Sequence, residues 1–320
     1  MKISVAFIVY NGSRYLHTQL DSILAQTQKV DEINICDDAS WDNTKEILEE
    51  YKKSYPDLFF LHYNSKNLGP TKNIEKAIQA CTGNIILLAD QDDYWEINKV
   101  ETIIKWFEAN PTMNGVFTNG SLMNSNGELD NKYALWDAMS FPYNKVNNSQ
   151  NLKLYINTVE NCVTGATLAI RNNLAFLKQT FPIIKHLVHD RWLAINLAET
   201  NSLAILDEKL IRYRIHSEQT IGGKTENIEN FISLNNNLFR ENLKIEKFKD
   251  LLYILNKIEI NLHIQTEISK IQIKSFDNTN YIAILNKKHK KYLEFGFQKW
   301  PILSSLRRIK KLFISTVAYQ

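Results

Sequence analysis

Two groups of acidic residues, each following an apolar run, are well suited to metal and nucleotide chemistry. One group, at 37–38, follows the run 33–36, and the other, the D-Q-D-D of 90–93, follows the run 85–88. Carboxylates crowded at the end of a buried strand repel one another, and a hard divalent cation with oxygen ligands relieves this repulsion. Such a cation meets a nucleotide when carboxylates and phosphate oxygens share it. The alternative is that these acids cap helices.

The elements that must position these acids alternate along the first 120 residues. Runs that are apolar nearly throughout, as expected for strands covered on both faces, occupy residues 5–9, 33–36, 58–61 and 85–88. Patterns with helical spacing lie between and after them, at residues 15–25, 44–51, 73–80 and 100–108. This alternation predicts βαβ units and an α/β fold with a doubly wound, mostly parallel, Rossmann-like sheet. Ligands of such sheets bind beyond the carboxyl ends of the strands, where both acidic groups fall.

The second half of the chain has a less regular pattern. Residues 120–150 are rich in Asn, Gly and Ser, which indicates long loops with at most a hairpin. For the segment after them we predict, in order, a strand over 165–170, a helix over 171–180, a helix over 190–199 and a strand over 210–214. From residue 224 to residue 320 the periodicity is helical and turn signals are few, so we expect an appended helical C-terminal region.

The composition excludes several classes of protein. The chain has 320 residues and a net charge of +3, which is too small to indicate nucleic-acid binding. It contains no run of 18 apolar residues, so no membrane-spanning helix is expected. Cys36, Cys81 and Cys162 lack C-x-x-C spacing, which favours a reducing compartment and no zinc site. We expect a cytoplasmic, globular protein in which the apolar run 3–9 is a first strand rather than a signal peptide.

Five motifs in this sequence occur in a characteristic order. They are V-Y-N-G at 9–12, L-D-S-I-L-A-Q-T at 20–27, D-D-A-S-W-D-N-T at 37–44, N-L-G at 67–69 and D-Q-D-D at 90–93. Over about residues 1–220 the sequence resembles family 2 of the inverting glycosyltransferases, and in particular rhamnosyltransferase-like members that build bacterial capsule or O-antigen. The resemblance implies a GT-A catalytic domain over 1–223, with a nucleotide-sugar-binding half (1–119) and an acceptor-binding half (120–223).

Carried over to this sequence, the resemblance implies a site for a nucleotide-diphospho-sugar. The residues implied on the nucleotide-sugar side are Val9, Tyr10, Asn11, Asp38, Asn67, Gly69, Asp90, Asp92 and Arg214. Within this set, Asp38 would hydrogen-bond the pyrimidine imide and Asp92 the ribose. Asp93 and His216 would hold Mn²⁺ or Mg²⁺ at the diphosphate. For Arg214 and His216, a surface strand with alternating polar residues is the alternative.

The acceptor side is implied by H-D-R-W at 189–192, which opens a predicted helix. An inverting transfer needs one general base to deprotonate the acceptor hydroxyl, and the resemblance gives this role to Asp190. A helix N-terminal cap is the alternative for this residue. His189 stands where many members carry a second acid, and it is assigned to the acceptor side together with Trp192 and Gly165. Gly165 has an alternative as a glycine that permits a strand bend.

A basic tail ends the sequence. Residues 287–311 contain nine Lys and Arg against the single acid Glu294, and Leu303, Leu306, Ile309 and Phe313 share one helical face. A basic amphipathic helix with a nearby Trp is typical of binding to a membrane surface. A helix packed on the catalytic domain with a solvated basic face is an equal alternative.

The sequence as a whole predicts a metal-assisted inverting glycosyltransferase. Its donor would be a UDP- or dTDP-sugar, its acceptor a glycan or lipid-linked glycan, and its place the cytoplasm or the inner face of the cell membrane. A sugar nucleotidyltransferase would need a glycine-rich phosphate loop after the first strand, and a nicotinamide dehydrogenase G-x-G-x-x-G; residues 10–14 supply neither. A catalytically silent scaffold at the membrane is the alternative of another class.

Overall fold

The computed structural model describes residues 1–217, 227–271 and 278–300. The glycine pair at 222–223 and the amphipathic stretch beginning at residue 301, both singled out in the sequence, lie outside the described residues. Within the described ranges, no helix combines the length and the apolar character that crossing a membrane requires.

The chain forms two compact units. The first comprises Met1–Ile156 and Asn161–Glu229, and the second comprises Asn157–Glu160 and the described part of Asn230–Gln320. All strands of the described residues belong to the first unit. The division of this unit into a donor half and an acceptor half stays a prediction.

Strands and helices alternate in the first part of the chain and helices dominate the last part. The strands are β1 (Ile3–Val9), β2 (Glu32–Asp37), β3 (Phe59–Tyr63), β4 (Ile85–Ala89), β5 (Tyr94–Trp95), β6 (Gly115–Met123), β7 (Leu129–Ala134), β8 (Leu168–Arg171) and β9 (Leu203–Arg214). The α-helices are α1 (Leu16–Leu24), α2 (Thr44–Ser54), α3 (Pro70–Ala80), α4 (Lys99–Ala109), α5 (Leu135–Ala138), α6 (Ser149–Thr158), α7 (His189–Glu199), α8 (Ile228–Arg240), α9 (Phe248–Lys270) and α10 (Thr279–Lys299).

One sheet contains all of these strands, in the order β3-β2-β1-β4-β8-β6-β9-β5, with β7 paired to β6. The strands β1 to β4 are parallel to one another. In the other half β8 is antiparallel to both of its neighbours, whereas β6 and β9 run parallel. The α/β fold predicted from the sequence is confirmed, and the antiparallel pairs are concentrated after β4.

Burial explains why the first half was readable from the sequence. Every residue of β2 and β4 is buried, which is the condition under which a strand is apolar nearly throughout. Helix α1 buries Leu16, Leu20 and Ile23, the apolar residues that helical spacing places on one face. All four predicted strands and all four predicted helices of the first 110 residues are confirmed.

Three expectations for the middle of the chain are corrected. The helix predicted over 171–180 is only a 3₁₀ turn, Ala175–Lys178, because Asn172 donates its side-chain amide to the carbonyls of Cys81 and Gly83 instead of continuing a helix. The strand predicted over 165–170 begins later, since a 3₁₀ turn at Gly165–Thr167 precedes β8. The polar region 120–150 contains the expected hairpin of β6 and β7, but also the start of the unpredicted α6.

The second unit contains α9 and α10 and nearly all of α8. Several lysines of the predicted basic tail lie in α10 and bind backbone carbonyls of the same unit. The ammonium group of Lys288, which is 2% exposed, donates to the carbonyl of Leu238 in the last turn of α8 (3.0 Å). Lys291 donates to the carbonyl of Glu241 (2.8 Å), and Lys299 to that of Ile245. Cations at the C-terminus of a helix satisfy its free carbonyls. Up to residue 299, therefore, these lysines are bound within the second unit, and packing of the tail on the catalytic domain stays a prediction.

Candidate active site

The carboxyl ends of β1, β2 and β4 lie side by side in the sheet. The register pairs Val9 of β1 with Asp37 of β2, and Phe7 of β1 with Ala89 of β4. The two acidic groups that follow β2 and β4 therefore flank the end of β1 at one edge of the sheet. This is the edge at which ligands of parallel sheets bind.

The carboxylates at 90–93 are crowded and poorly compensated. Asp93 is 1% exposed; its Oδ1 accepts the backbone N–H of Arg214 (3.0 Å), whereas its Oδ2 has no hydrogen-bond partner among the described residues. Burial, and then the charges of Asp92 and Asp90, raise the pKa of Asp93 well above its usual range. Burial, and then the charges of Asp92 and Asp190, raise the pKa of Asp90 to about 7. The hydrogen bonds of the protein offset only part of the repulsion and desolvation of these carboxylates, which is typical of a site completed by a ligand.

Strand β9 brings basic residues to this cluster. The Nε of Arg214 donates to the carbonyl of Asp92 (2.7 Å), and its guanidinium lies over the ring of Tyr15. The imidazole Nε2 of His216 lies 2.9 Å from Oδ2 of Asp92. The structure thus brings Arg214 and His216 to the acidic cluster. A surface strand with alternating polar residues, the alternative for these two residues, does not account for their contacts.

The cluster fits a divalent cation that takes most of its ligands from a diphosphate. Among the described residues no group of three or more His, Cys, Asp or Glu side chains is arranged to hold a metal by itself. Mg²⁺ and Mn²⁺ bound with nucleotides need only one or two protein carboxylates. The buried, unsatisfied Oδ2 of Asp93 is such a ligand. His216 is bonded to Asp92 in this structure, so its metal role stays a prediction.

Asp38 holds a loop in this structure, which is a use that the sequence did not predict. Its Oδ1 accepts the N–H of Leu68 and the side-chain amide of Asn64 (both 2.8 Å), and its Oδ2 accepts the N–H of Gly69 (2.9 Å). Gly69 has a φ of 81°, a left-handed conformation that favours glycine, and it directly precedes α3. The contact with a nucleotide base stays a prediction for Asp38 and for the exposed Asn67.

The end of β1 is fastened to both acidic groups. Gln91 accepts the backbone N–H of Tyr10 with its Oε1 (2.7 Å) and donates its amide to the carbonyl of the same residue (3.1 Å). The N–H of Asn11 donates to Oγ of Ser40, two residues beyond Asp38. Val9 is 2% exposed, so only its backbone is available to a ligand. Gln91 is a site residue that the sequence did not single out, although it lies inside the D-Q-D-D motif.

Asp190 lies in the first turn of α7, where several donors hold its carboxylate. Its Oδ1 accepts the N–H of Arg191 (2.6 Å) and the side-chain amide of Asn161 (3.0 Å). Burial raises the pKa of Asp190 to about 7, although these hydrogen bonds lower it. The charge of Asp190 in turn contributes to the raised pKa of Asp90, so the two acids share one electrostatic environment. An acid with a pKa near neutrality is suited to general-base chemistry.

The other residues assigned to the acceptor side lie in the same helix as Asp190 or in the turn packed against it: His189 and Trp192 in α7, and Gly165 in the 3₁₀ turn. A Cβ on Gly165 would lie 3.0 Å from Nε2 of His189, so this glycine permits a close approach of the turn to α7. Burial lowers the pKa of His189 to about 4, which keeps its imidazole neutral. Trp192 is 3% exposed, so the structure gives it a packing position rather than a surface for an acceptor.

The sequence analysis did not single out Lys99, a buried lysine on which the charges of Asp93 and Asp90 act. Lys99, the first residue of α4, is 1% exposed, and its Nζ donates to the carbonyl of Ala166 (2.7 Å). Asp93 and Asp90 act on it electrostatically, whereas burial lowers its pKa to about 7. The only signal in the sequence was its position six residues after Asp93.

The first half of the sheet is parallel and has acids beyond its strand ends, and the second half is mixed and contributes Asp190. Together with the helical C-terminal region, this arrangement is that of an α/β protein with the GT-A fold. Residues 4–174, more than half of the chain, match the model of Glycosyl transferase family 2. The chain belongs to this family.

The similar proteins include one of nearly the same length. A glycosyltransferase of Haemophilus influenzae is 25% identical over 314 residues, which cover 96% of this chain and 90% of that protein. The poly(ribitol-phosphate) beta-glucosyltransferase of Bacillus spizizenii is 35% identical over 129 residues, which cover 40% of this chain and 20% of that enzyme. A solved structure of S. aureus TarS, residues 1–349 with UDP, has a TM-score of 0.54 at 17% identity and covers 92% of this chain and 89% of that one. Several matched relatives are longer proteins, and the matched part of this chain spans between a fifth and a third of their length. In other relatives the match covers about two fifths of the protein.

Proposed function

We propose that this protein transfers a sugar from a nucleotide-diphospho-sugar to a glycan hydroxyl with inversion, assisted by Mn²⁺ or Mg²⁺, in the synthesis of a bacterial surface polysaccharide. The observation that carries this proposal is the arrangement of two different acids in one electrostatic environment. Asp93 has a buried oxygen that no described residue satisfies and that is suited to a cation, and Asp190 has a pKa near neutrality suited to a base. Pairs of acids in unlike environments are the usual basis of divided roles in catalysis.

The transfer itself is one displacement at the anomeric carbon. The ionised carboxylate of Asp190 accepts the proton of the acceptor hydroxyl while the acceptor oxygen bonds to the anomeric carbon. The bond from that carbon to the diphosphate oxygen breaks at the same time, and the nucleoside diphosphate leaves with the electron pair. Arg214 provides positive charge beside Asp92 and Asp93. A divalent cation held by Asp93 would supply further stabilisation of charge on the leaving diphosphate.

The substrates are proposed from the similar proteins. The TarS structure contains UDP, and the Bacillus relative is named as a beta-glucosyltransferase of poly(ribitol-phosphate). These names favour a UDP-sugar over a dTDP-sugar and a polymer or lipid-linked glycan as acceptor. A rhamnosyl donor, and a capsule or O-antigen product, rest on the sequence motifs alone. We place the reaction at the cytoplasmic face of the cell membrane, where nucleotide sugars and lipid-linked glycans meet.

The alternatives predict different results in one experiment. The protein is incubated with UDP-, GDP- and dTDP-sugars, with and without Mn²⁺, and its melting temperature is measured, because a ligand of the folded state raises this temperature. A glycosyltransferase is stabilised by one nucleotide class in the presence of the metal, and the stabilising donor is then consumed when acceptors are added. A silent scaffold shows stabilisation at most and no donor turnover. A nucleotidyltransferase would instead form the sugar nucleotide from a nucleoside triphosphate and a sugar phosphate.

A further inference from the structure

Lys99 occupies a position that is unfavourable for a cation. It begins α4, where the positive end of the helix dipole lies, and it is 1% exposed. Its Nζ lies 4.4 Å from the centroid of the Trp95 ring. Removing an ammonium group from water costs far more than one cation–π contact contributes. Its retention in this place therefore depends on further partners.

These partners lie in two separate parts of the first unit. On one side Asp93 and Asp90, which follow β4, favour the charged ammonium group electrostatically. On the other side the Nζ of Lys99 donates to the carbonyl of Ala166, at 2.7 Å. Ala166 is the middle residue of the 3₁₀ turn Gly165–Thr167, which is fully or nearly fully buried. Lys99 is thus hydrogen-bonded to this turn and lies in the electrostatic field of the acidic cluster.

The same turn holds the proposed general base. Its first residue, Gly165, packs against the start of α7, since a Cβ placed on it would lie 3.9 Å from Cβ of Asp190. A backbone hydrogen bond from Gly165 also contributes to lowering the pKa of Asp190. A close approach to Nε2 of His189 fixes the turn against the start of α7. The carbonyl that Lys99 binds is one residue beyond Gly165, so a displacement of the turn that follows loss of the Lys99 contact also shifts Gly165 against Asp190. Misplacement of a reacting group by about 1 Å is enough to cost two orders of magnitude in rate.

We propose that Lys99 is a positioning residue that couples the acidic cluster at 90–93 to Asp190 by holding the Gly165–Thr167 turn between them. Its contact with the turn is independent of the reaction, whereas its effect on turnover rests on the proposed function. A lysine that only filled space in the core would be replaced by Met without consequence for the turn.

Hydrogen exchange of the ligand-free protein tests the coupling without any substrate. Lys99→Met removes the donor and the charge while keeping most of the volume, and Lys105→Met, at an exposed lysine of the same helix, is the matched control. We expect the amides of 161–170 to exchange at least about tenfold faster in Lys99→Met than in wild type or in the control. Unchanged exchange at 161–170 would overturn the proposal. If Lys99→Met does not fold, Lys99→Gln, whose amide nitrogen ends one bond short of Nζ, gives the same comparison with the same two outcomes.

Turnover supplies the second measurement. At saturating donor, acceptor and Mn²⁺, Lys99→Met should have a kcat at least about tenfold below wild type, Lys99→Arg should recover part of it, and Lys105→Met should be unaffected. A kcat equal to wild type, despite faster exchange at 161–170, would overturn the link from the turn to Asp190. Absence of transfer by the wild-type protein would contradict the proposed function, and the exchange result would still decide whether Lys99 holds the turn.

Discussion

The backbone N–H of Arg214 donates to Oδ1 of Asp93 at 3.0 Å, although 121 residues separate the two in the chain. Arg214 is the last residue of β9, and Asp93 precedes β5, which pairs with β9 in antiparallel fashion. The contact uses one carboxylate oxygen of Asp93 and leaves the other unsatisfied among the described residues. The second half of the sheet thus orients the acid that ends the D-Q-D-D motif, so the proposed metal ligand depends on both halves.

Replacement of Asp93 is expected to abolish metal-dependent donor binding. Asp93→Ala removes the oxygen that no described residue satisfies. The described residues contain no group of three or more His, Cys, Asp or Glu side chains that could hold the metal in its place. Calorimetry with UDP and Mn²⁺ should show affinity reduced at least about tenfold, with the exposed Asp57→Ala variant unchanged. Binding to the wild-type protein that is equally tight in EDTA would exclude a metal role for Asp93.

The acids of this site could be predicted from the sequence, but their supports could not. The D-Q-D-D of 90–93 follows an apolar run, and helix α7 begins within one residue of the predicted position, so both acids were found. The cation Lys99 was not, because nothing in a single sequence shows that the first residue of α4 is 1% exposed. Gln91 was passed over because its two hydrogen bonds go to the backbone of Tyr10, and backbone contacts leave no pattern of residue types.

Asp190 should reduce the stability of the protein increasingly as the pH rises. Its pKa of about 7 in the folded state lies above the value of about 4 for an unfolded chain, so the folded state binds the proton more tightly. Stability is therefore lost as the pH rises from about 4 to about 7. In EDTA, Asp190→Asn should gain melting temperature relative to wild type between pH 4.5 and pH 7.5. A difference between the two proteins that does not change with pH would show that Asp190 titrates near its ordinary value.

The limits of the fold prediction have a similar physical origin. Strands β1, β2 and β4 are buried nearly throughout, and their burial is visible as apolar runs, whereas β3 at the edge of the sheet is partly exposed. Strand β6 was anticipated only as one arm of a hairpin, because V-F-T-N-G-S-L-M contains Asn, Gly and Ser, and its pairing with β8 and β9 is determined by residues distant in the chain. The false helix over 171–180 had acceptable local propensity, and the tertiary hydrogen bonds of Asn172 overrode it.

Two truncations are expected to distinguish the role of residues 287–300 of the basic tail from that of residues 301–320. Deletion of 287–320 removes the buried Lys288 and Tyr292, whose hydroxyl donates to the carbonyl of Asn237 (2.8 Å), so the second unit should lose its cooperative unfolding transition. Deletion of 301–320 keeps these contacts and should preserve the melting temperature within a few degrees. Only the shorter truncation can therefore test membrane binding.

The shorter truncation should bind anionic liposomes more weakly than the full chain while retaining donor binding. The motive is the basic amphipathic pattern at 303–313, since each basic residue near an anionic surface contributes about 1 kcal/mol. Sedimentation with vesicles containing phosphatidylglycerol measures this binding, and neutral vesicles are the control. Equal sedimentation of both proteins would remove the membrane role from residues 301–320.

Asp190→Asn should abolish transfer and leave the donor site intact. The acceptor hydroxyl is a very weak acid, so its attack needs a carboxylate that is ionised and placed to take the proton. Asn keeps the size of Asp and can retain contacts at the start of α7, but it cannot accept a proton. Initial rates should fall at least about 10²-fold at saturating donor, whereas the affinity for UDP with Mn²⁺ should stay within threefold. Glu208→Gln, at an exposed acid in β9, is the control.

The pH profile distinguishes a base from a residue that only caps α7. Since the active form is ionised and the pKa of Asp190 is raised to about 7, the wild-type rate should increase as the pH rises from 5.5 to 8. The side-chain amide of Asn161 donates to Asp190, so it favours the ionised form, and its removal in Asn161→Ala should move this limb to higher pH. A cap would lower the melting temperature when removed but would leave the limb in place. Near-normal transfer by a folded Asp190→Asn protein would refute the assignment, and Glu160 would be the next acid to replace.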